Sequence, residues 1–212
     1  MNLRQLAALT ALLSLAASSS FAQKTGGNRD FWYAGVDYGQ SKLDGTGSLV
    51  NAASRNAESD TFSIRFGYRF TRKFALEAGY VDLGEFSASF VAACPACLPR
   101  HSATSIDGFL VNVIGIWPIA ERFQLKGALG TTYRRIDAVA VYPAMTDHWS
   151  DTGVVLTFDA GVVIPIGERF EIDLDFTLYR EDYLFSGTLS PRLGFIDEGE
   201  YSRAALGLRY RF

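Results

Sequence analysis

The chain of 212 residues predicts an all-β fold, an eight-stranded antiparallel up-and-down β-barrel that crosses a membrane with its strands. Three observations predict it. Eight segments of similar length read as strands, and six of them alternate apolar and polar residues with a period of two. The links between them alternate between short and long. A secretory leader opens the chain and sends it out of the cytoplasm.

The leader reads from its parts. Met1 to Arg4 is a short basic start, Leu6 to Ala17 is an apolar run, and Ser20 and Ala22 are the small residues of a cleavage site after Ala22. The apolar run is too short to span ~30 Å of hydrocarbon. Residues 1–22 are therefore expected to be removed, leaving 23–212 as one barrel domain. No cysteine follows the cut, which argues against a lipoprotein. Cleavage moves the formal charge from -3 to -4, because the leader carries Arg4 and no acid. A weakly acidic chain has no electrostatic case for nucleic acid.

The segments follow in order. The first, 31–41, sets Trp32, Ala34, Val36 and Tyr38 against Tyr33, Gly35, Asp37 and Gly39. The second, 60–70, sets Phe62, Ile64, Phe66, Tyr68 and Phe70 against Ser63, Arg65, Gly67 and Arg69. The third, 73–83, is mixed, with Glu77 and Gly79 on its polar side, and the fourth, 105–117, is apolar on both faces and has no orientation from sequence. The fifth, 122–135, sets Phe123, Leu125, Leu129 and Tyr133 against Gln124, Lys126, Gly130 and Arg134. In the sixth, 153–165, Leu156, Phe158, Ala160, Val162 and Ile164 oppose Thr157, Asp159, Gly161 and Val163. In the seventh, 169–182, Phe170, Ile172, Leu174, Phe176 and Leu178 oppose Glu171, Asp173, Asp175, Thr177 and Tyr179. The last, 200–212, sets Ala204, Leu206, Leu208, Tyr210 and Phe212 against Arg203, Ala205, Gly207, Arg209 and Arg211.

Links 71–72, 119–121 and 166–168 are tight, whereas 42–59, 84–104, 136–152 and 183–199 are long. Outer-membrane barrels segregate their loops in this way, with short periplasmic turns and long extracellular loops. A weak repeat, Trp117-Pro-Ile-Ala-Glu-Arg-Phe123 and Ile164-Pro-Ile-Gly-Glu-Arg-Phe170, puts aromatics around two of the turns. With Phe70 and Phe74 they form an expected aromatic belt at one interface.

Alternation alone does not say which face points inward. Two features place the polar face inside. Gly35, Gly39, Gly67, Gly79, Gly130, Gly161 and Gly207 all fall on it, with Gly127 as the exception. A narrow interior uses glycine to make room for long side chains, whereas a solvated strand gains nothing from it. The charges also balance. Arg65, Arg69, Lys126, Arg134, Arg203, Arg209 and Arg211 face Asp37, Glu77, Asp159, Glu171, Asp173 and Asp175. A confined interior requires such pairing, because an unpaired buried ion costs several kcal/mol. The arginines of the last segment have expected counter-ions in Glu171, Asp173 and Asp175.

The stretch Phe31-Trp-Tyr-Ala-Gly-Val-Asp-Tyr-Gly-Gln-Ser41 and the ending Arg209-Tyr-Arg-Phe212 resemble the first and last strands of the OmpA-like family of transmembrane barrels. The resemblance covers residues 30–212 and lies in pattern. It implies a barrel in the outer membrane of a Gram-negative bacterium, with both termini periplasmic. It further implies that Phe212 is an assembly signal read by the barrel-assembly machinery. Members of the family serve as structural, adhesive or narrow-channel proteins, so membership does not choose an activity.

Cys94-Pro-Ala-Cys97 lies in the second long link. A loop disulfide, a partial zinc site with His101 and His148, and free thiols are the alternatives; an oxidising compartment favours the disulfide. His101-Ser102 and His148 with Ser150 and Asp151 are the residues a lipid-modifying enzyme could use, but adjacency in sequence is not a triad. We assign no cofactor, metal or catalytic residue. Apolar residues in the long links, Phe86, Phe90, Val91 and Leu98 among them, suggest contact surfaces for an unidentified surface ligand or host partner. Eight strands leave an interior just wide enough for side chains, so the interior charges read as a plug. The leading expectation is a non-enzymatic outer-membrane barrel with a structural or surface-interaction role through its loops. A narrow channel or hydrophobic-ligand conduit, and a lipid-modifying enzyme of the same fold, are the alternatives.

Overall fold

A computed structural model describes residues 30–44, 54–89, 101–120, 123–142, 145–180 and 200–212. Eight long strands close into a ring: β1 (Phe31–Asp44), β3 (Glu58–Arg69), β4 (Phe74–Ser89), β5 (His101–Ala120), β6 (Phe123–Val141), β7 (Thr146–Ile166), β8 (Phe170–Arg180) and β9 (Glu200–Arg211). Each pairs antiparallel with its neighbours in sequence, and β1 pairs with β9 to shut the seam. The three-residue β2 (Ser54–Asn56) continues the edge of β3 against the tip of β4. The leader and the Cys94-Pro-Ala-Cys97 motif lie outside the described residues.

Polar residues of the alternating segments are buried and apolar ones are exposed. The structure also orients the two strands that sequence left mixed or unassigned. In β5, Ile106, Leu110, Asn112, Ile114 and Ile116 point inward, while Phe109, Val111, Val113 and Trp117 point out. Both of its faces are apolar because one meets lipid and the other meets an apolar part of the interior. β4 switches face at a bulge between Asp82 and Gly84, where Gly84 has φ of 85°. Below it Ala75, Glu77 and Val81 are inside; above it Phe86 and Ala88 take over. The extra residue advances the pleat by one, and only glycine takes that backbone cheaply.

Two expectations are corrected here. The third link, expected at 136–152, is almost all strand: β6 reaches Val141, β7 starts at Thr146, and their ladder is continuous from Gln124↔Val163 to Val141↔Thr146. Its polar residues looked like a loop, yet they alternate on a sheet that extends beyond the membrane. Phe86, read as part of a loop surface, is buried inside the barrel.

The outward band is bounded by aromatics. Phe70, Phe74, Trp117, Phe123 and Phe170 sit at the short-turn end, and Tyr38, Phe109 and Tyr133 at the other. In β6, Phe123 and Tyr133 bracket a stretch that, at ~3.3 Å per residue and the tilt of a barrel strand, matches a band of about 25 Å. Gly127 and its partner Gly115 on the lipid face are explained by Trp117, whose indole lies along the wall within 3.4 Å of a Cβ built at Gly127 and 2.7 Å of one built at Gly115. An aromatic ring thus covers the gap. Leu129 is outward and 56% exposed midway along this band. Leu129→Arg is expected to lower stability in lipid vesicles by about 2–4 kcal/mol, read from urea unfolding, because lipid cannot solvate the charge.

Candidate functional site: the charged barrel interior

The interior is layered. Toward the long-link end, Leu43, Val81, Phe86, Ile106, Ile136 and Tyr201 belong to one apolar cluster, with Trp149 packed on it. Toward the short-turn end, Tyr33, Ala75, Ile114 and Ile116 form a second. The charges lie between and below them.

Arg65 is the hub. Its guanidinium reaches Asp37 at 2.7 Å, Asp175 at 2.8 Å and Glu77 at 3.3 Å, so it ties β3 to β1, β8 and β4. Lys126 crosses from β6 to Asp173 at 2.7 Å and to Asp159 at 3.7 Å, and it also pairs with Asp175. Arg209 pairs with Asp173 and lies 3.4 Å from Glu77. Glu77 further accepts a hydrogen bond from the Tyr33 hydroxyl at 3.0 Å. Asp159 accepts one from Thr177 at 2.9 Å. These carboxylates are almost fully removed from solvent, and sharing Asp37, Glu77, Asp173 and Asp175 between two cations each offsets their desolvation.

Arg203 departs from expectation. It does not pair with the acids of β8; it donates to Ser63 at 3.0 Å and Thr61 at 3.2 Å and stands 3.8 Å from Asp37 across the seam. The reason is height: its β8 neighbour is Thr177, two residues above Asp175. Asp37, one of the anions of the inward face, meets Arg65, Arg203 and Ser63, whose hydroxyl donates at 2.6 Å. Its inward register between Gly35 and Gly39 leaves the room for these contacts.

Arg69 and Arg211 stand apart, near the short-turn end. Arg211 pairs with Glu171, and Arg69 donates to Gln124 at 3.2 Å. Both cap the Phe31 ring, at 5.7 and 5.1 Å from its centroid. Phe212 faces outward, its N–H donates to the Trp32 carbonyl at 2.9 Å, and its ring meets Tyr210 edge-on.

Residues 7–212 match the family model of the outer membrane protein β-barrel domain. The chain belongs to that family. Its place is the bacterial outer membrane, with lipid against the exposed aromatic and aliphatic band. A protein of Haemophilus influenzae, named only as uncharacterized, is 28% identical over 142 residues, covering 65% of this chain and 72% of its own. Among solved structures, the fold is similar to that of Ail, the attachment invasion locus protein of Yersinia pestis. That match has a TM-score of 0.53 and 16% identity, and covers 86% of this chain and 98% of Ail. Neisserial surface protein A matches with a TM-score of 0.52 and 14% identity, over 85% of this chain and 97% of its own. At these identities the likeness concerns the fold.

The residues that a lipid-modifying enzyme could use are dispersed by the pleat. His101 and Ser102 are adjacent on β5 and therefore point to opposite faces. His148 and Ser150 share the outer face of β7, with Asp151 on the other. His101 Nδ1 lies 3.3 Å from the Ser89 hydroxyl oxygen on an exposed rim. Triad geometry requires a base with an orienting third group, and the described contacts supply no acid at this pair.

Proposed function

We propose that this barrel has a structural and surface-interaction role, presented by its extracellular end, and that its interior is a plug. The observation that carries this reading is the charged layer held between two apolar clusters. Charged groups knitted to several partners each give a rigid filling, and eight strands leave little room beside it. The β5–β6–β7 sheet, rising past the end of β8 at the Leu156↔Arg180 pair, offers an extracellular platform for contact. Ail, of similar fold, carries attachment in its name, in keeping with this role.

Planar-bilayer recording of the refolded barrel tests the plug: no discrete conductance is expected. Steps that Arg65→Ala or Lys126→Ala abolish would overturn it in favour of a channel. The surface role is read on whole cells. Replacing residues 90–100 and 181–199 with short Gly-Ser linkers should leave heat-modifiable gel migration intact and lower adhesion to host-cell matrix. Unchanged adhesion would remove the loops from the reading.

A further inference from the structure

The short-turn mouth of the barrel holds more positive charge than its acids balance. Arg69 is 9% exposed, and among the described residues no carboxylate lies within ion-pair distance of it. Its guanidinium donates instead to neutral oxygens: the Thr71 carbonyl at 3.3 Å, the Arg72 carbonyl, and Gln124 Oε1 at 3.2 Å on β6 across the mouth. Arg211 pairs with Glu171 through Nη2, but its Nε is buried and has no hydrogen-bond partner. β3 and β9 flank β1 here, with Phe31 opposite Arg69 and Tyr33 opposite Arg211, so both guanidiniums come to lie against the Phe31 ring. Two cations thus meet around one ring and share one carboxylate, Glu171.

This contrasts with the central layer, where Arg65, Lys126 and Arg209 each hold two or more carboxylates. A buried N–H without an acceptor costs about 1–3 kcal/mol, and a buried ion without a partner costs more. Water answers the first cost and not the second; an anion answers both. Guanidinium forks match phosphate oxygens two at a time, and phosphate carries enough oxygens to meet two forks. Gln124, whose Oε1 is taken by Arg69, keeps its amide N–H groups to donate to the same anion. The 69–74 turn carries Arg69, Arg72 and Lys73 and no acid, and exposed Arg72 and Lys73 draw anions toward the opening. Short turns of such barrels face the periplasm. Because Arg69 and Arg211 point into the mouth and away from the wall's outer surface, the anion reaches them from periplasmic water.

We propose that the periplasmic mouth is a binding site for a soluble phosphate group, inorganic phosphate or a phosphate monoester, held between Arg69 and Arg211. The Arg211 Nε–H and the spare N–H groups of Arg69 donate to its oxygens, Gln124 adds a neutral contact, and Phe31 is the floor. Glu171 competes for Arg211 and sets the affinity.

The test uses the refolded barrel in phosphate-free non-ionic detergent, with inorganic phosphate as probe and the arginine Nε–H resonances in NMR spectra as readout. The Arg69 and Arg211 signals are expected to shift saturably with phosphate. The Kd should rise at least about tenfold in Arg69→Gln and in Arg211→Gln. Glu171→Gln removes the competing charge and should lower the Kd at least about threefold, a gain that a purely structural role for these residues does not produce. Heat-modifiable migration confirms that each variant is folded. Shifts reproduced by chloride at equal ionic strength are screening alone and overturn the proposal. So does a Kd that neither arginine variant nor Glu171→Gln changes. A response to dihexanoyl phosphatidylglycerol without one to inorganic phosphate places the phosphate on a lipid and overturns the assignment to a soluble ligand.

Discussion

Arg65→Ala should lower the barrel's unfolding free energy by about 3–5 kcal/mol, the range for removing one partner of a buried ion pair. Asp37, Glu77 and Asp175 all lean on this guanidinium from three other strands. Without it, Asp37 keeps Arg203 at 3.8 Å and Asp175 keeps Lys126, but both lose their Arg65 contact. In the central network Asp37, Glu77, Asp159, Asp173 and Asp175 are then left with Lys126, Arg203 and Arg209, in a space with little water to screen them. The measurement is urea unfolding in lipid vesicles followed by tryptophan fluorescence. Arg65→Lys separates charge from geometry: it restores the charge but not the fork that serves three carboxylates, and should recover part of the loss. A loss below about 1 kcal/mol for Arg65→Ala, the range of an exposed pair, would show that the network is solvated and that the interior is not a plug.

Gly39→Val is expected to block closure of the barrel, leaving little heat-modifiable product after refolding. Gly39 pairs with Ala205 across the β1–β9 seam. A Cβ built on it collides with the Ala204 carbonyl oxygen and lies 2.6 Å from the Ala205 Cα. These are backbone atoms, so no rotamer change relieves the clash. Overpacking a well-filled core typically costs about 1–3 kcal/mol, and more where the neighbour cannot move. Here the strain falls on the ladder that joins the two ends of the chain. Gly153→Val is the control, since a Cβ there approaches only the Arg134 Nε, at 3.9 Å. It should refold as the wild type does. Equal refolding of both variants would remove the seam from this account.

Much of the fold is legible in the residues because a membrane barrel has a strict two-residue code. In β8, Phe170 to Leu178 must meet lipid and Glu171 to Tyr179 must meet the interior, so strand, register parity and orientation all follow from one pattern. The pattern fails where both sides of a strand are apolar. Nothing in Ile106 to Trp117 says that its inner residues pack on Leu43, Val81 and Tyr201 from distant strands. Strand ends were hidden for a related reason. Above the membrane the outer face meets water and turns polar, so the alternation that marks Phe123 to Tyr133 fades in Thr146 to Thr152, although the ladder continues and Ile136, Ala138 and Ala140 stay buried on the inner face.

The candidate site divides in the same way. Its membership was largely legible, since a charged residue at an inward position of a narrow barrel has nowhere else to go. Its pairing was not. Arg65 meets Glu77 across the β3–β4 hairpin, which sequence spacing brings close, but it meets Asp175 across the barrel's width. Arg203 finds Asp37, Thr61 and Ser63 instead of the acids of the preceding strand.

By itself the sequence determined a membrane-spanning all-β ring, which of its residues face lipid in most strands, and the near-neutral interior charge. Only the tertiary structure decided which cation meets which anion, where the bulge at Gly84 reverses the pleat, and which apolar residues of β4, β5 and β6 pack inside the barrel. The physical reason is that side-chain facing is a local property of a strand. Contact across a closed barrel depends on stagger and bulges, which are set by all the strands together.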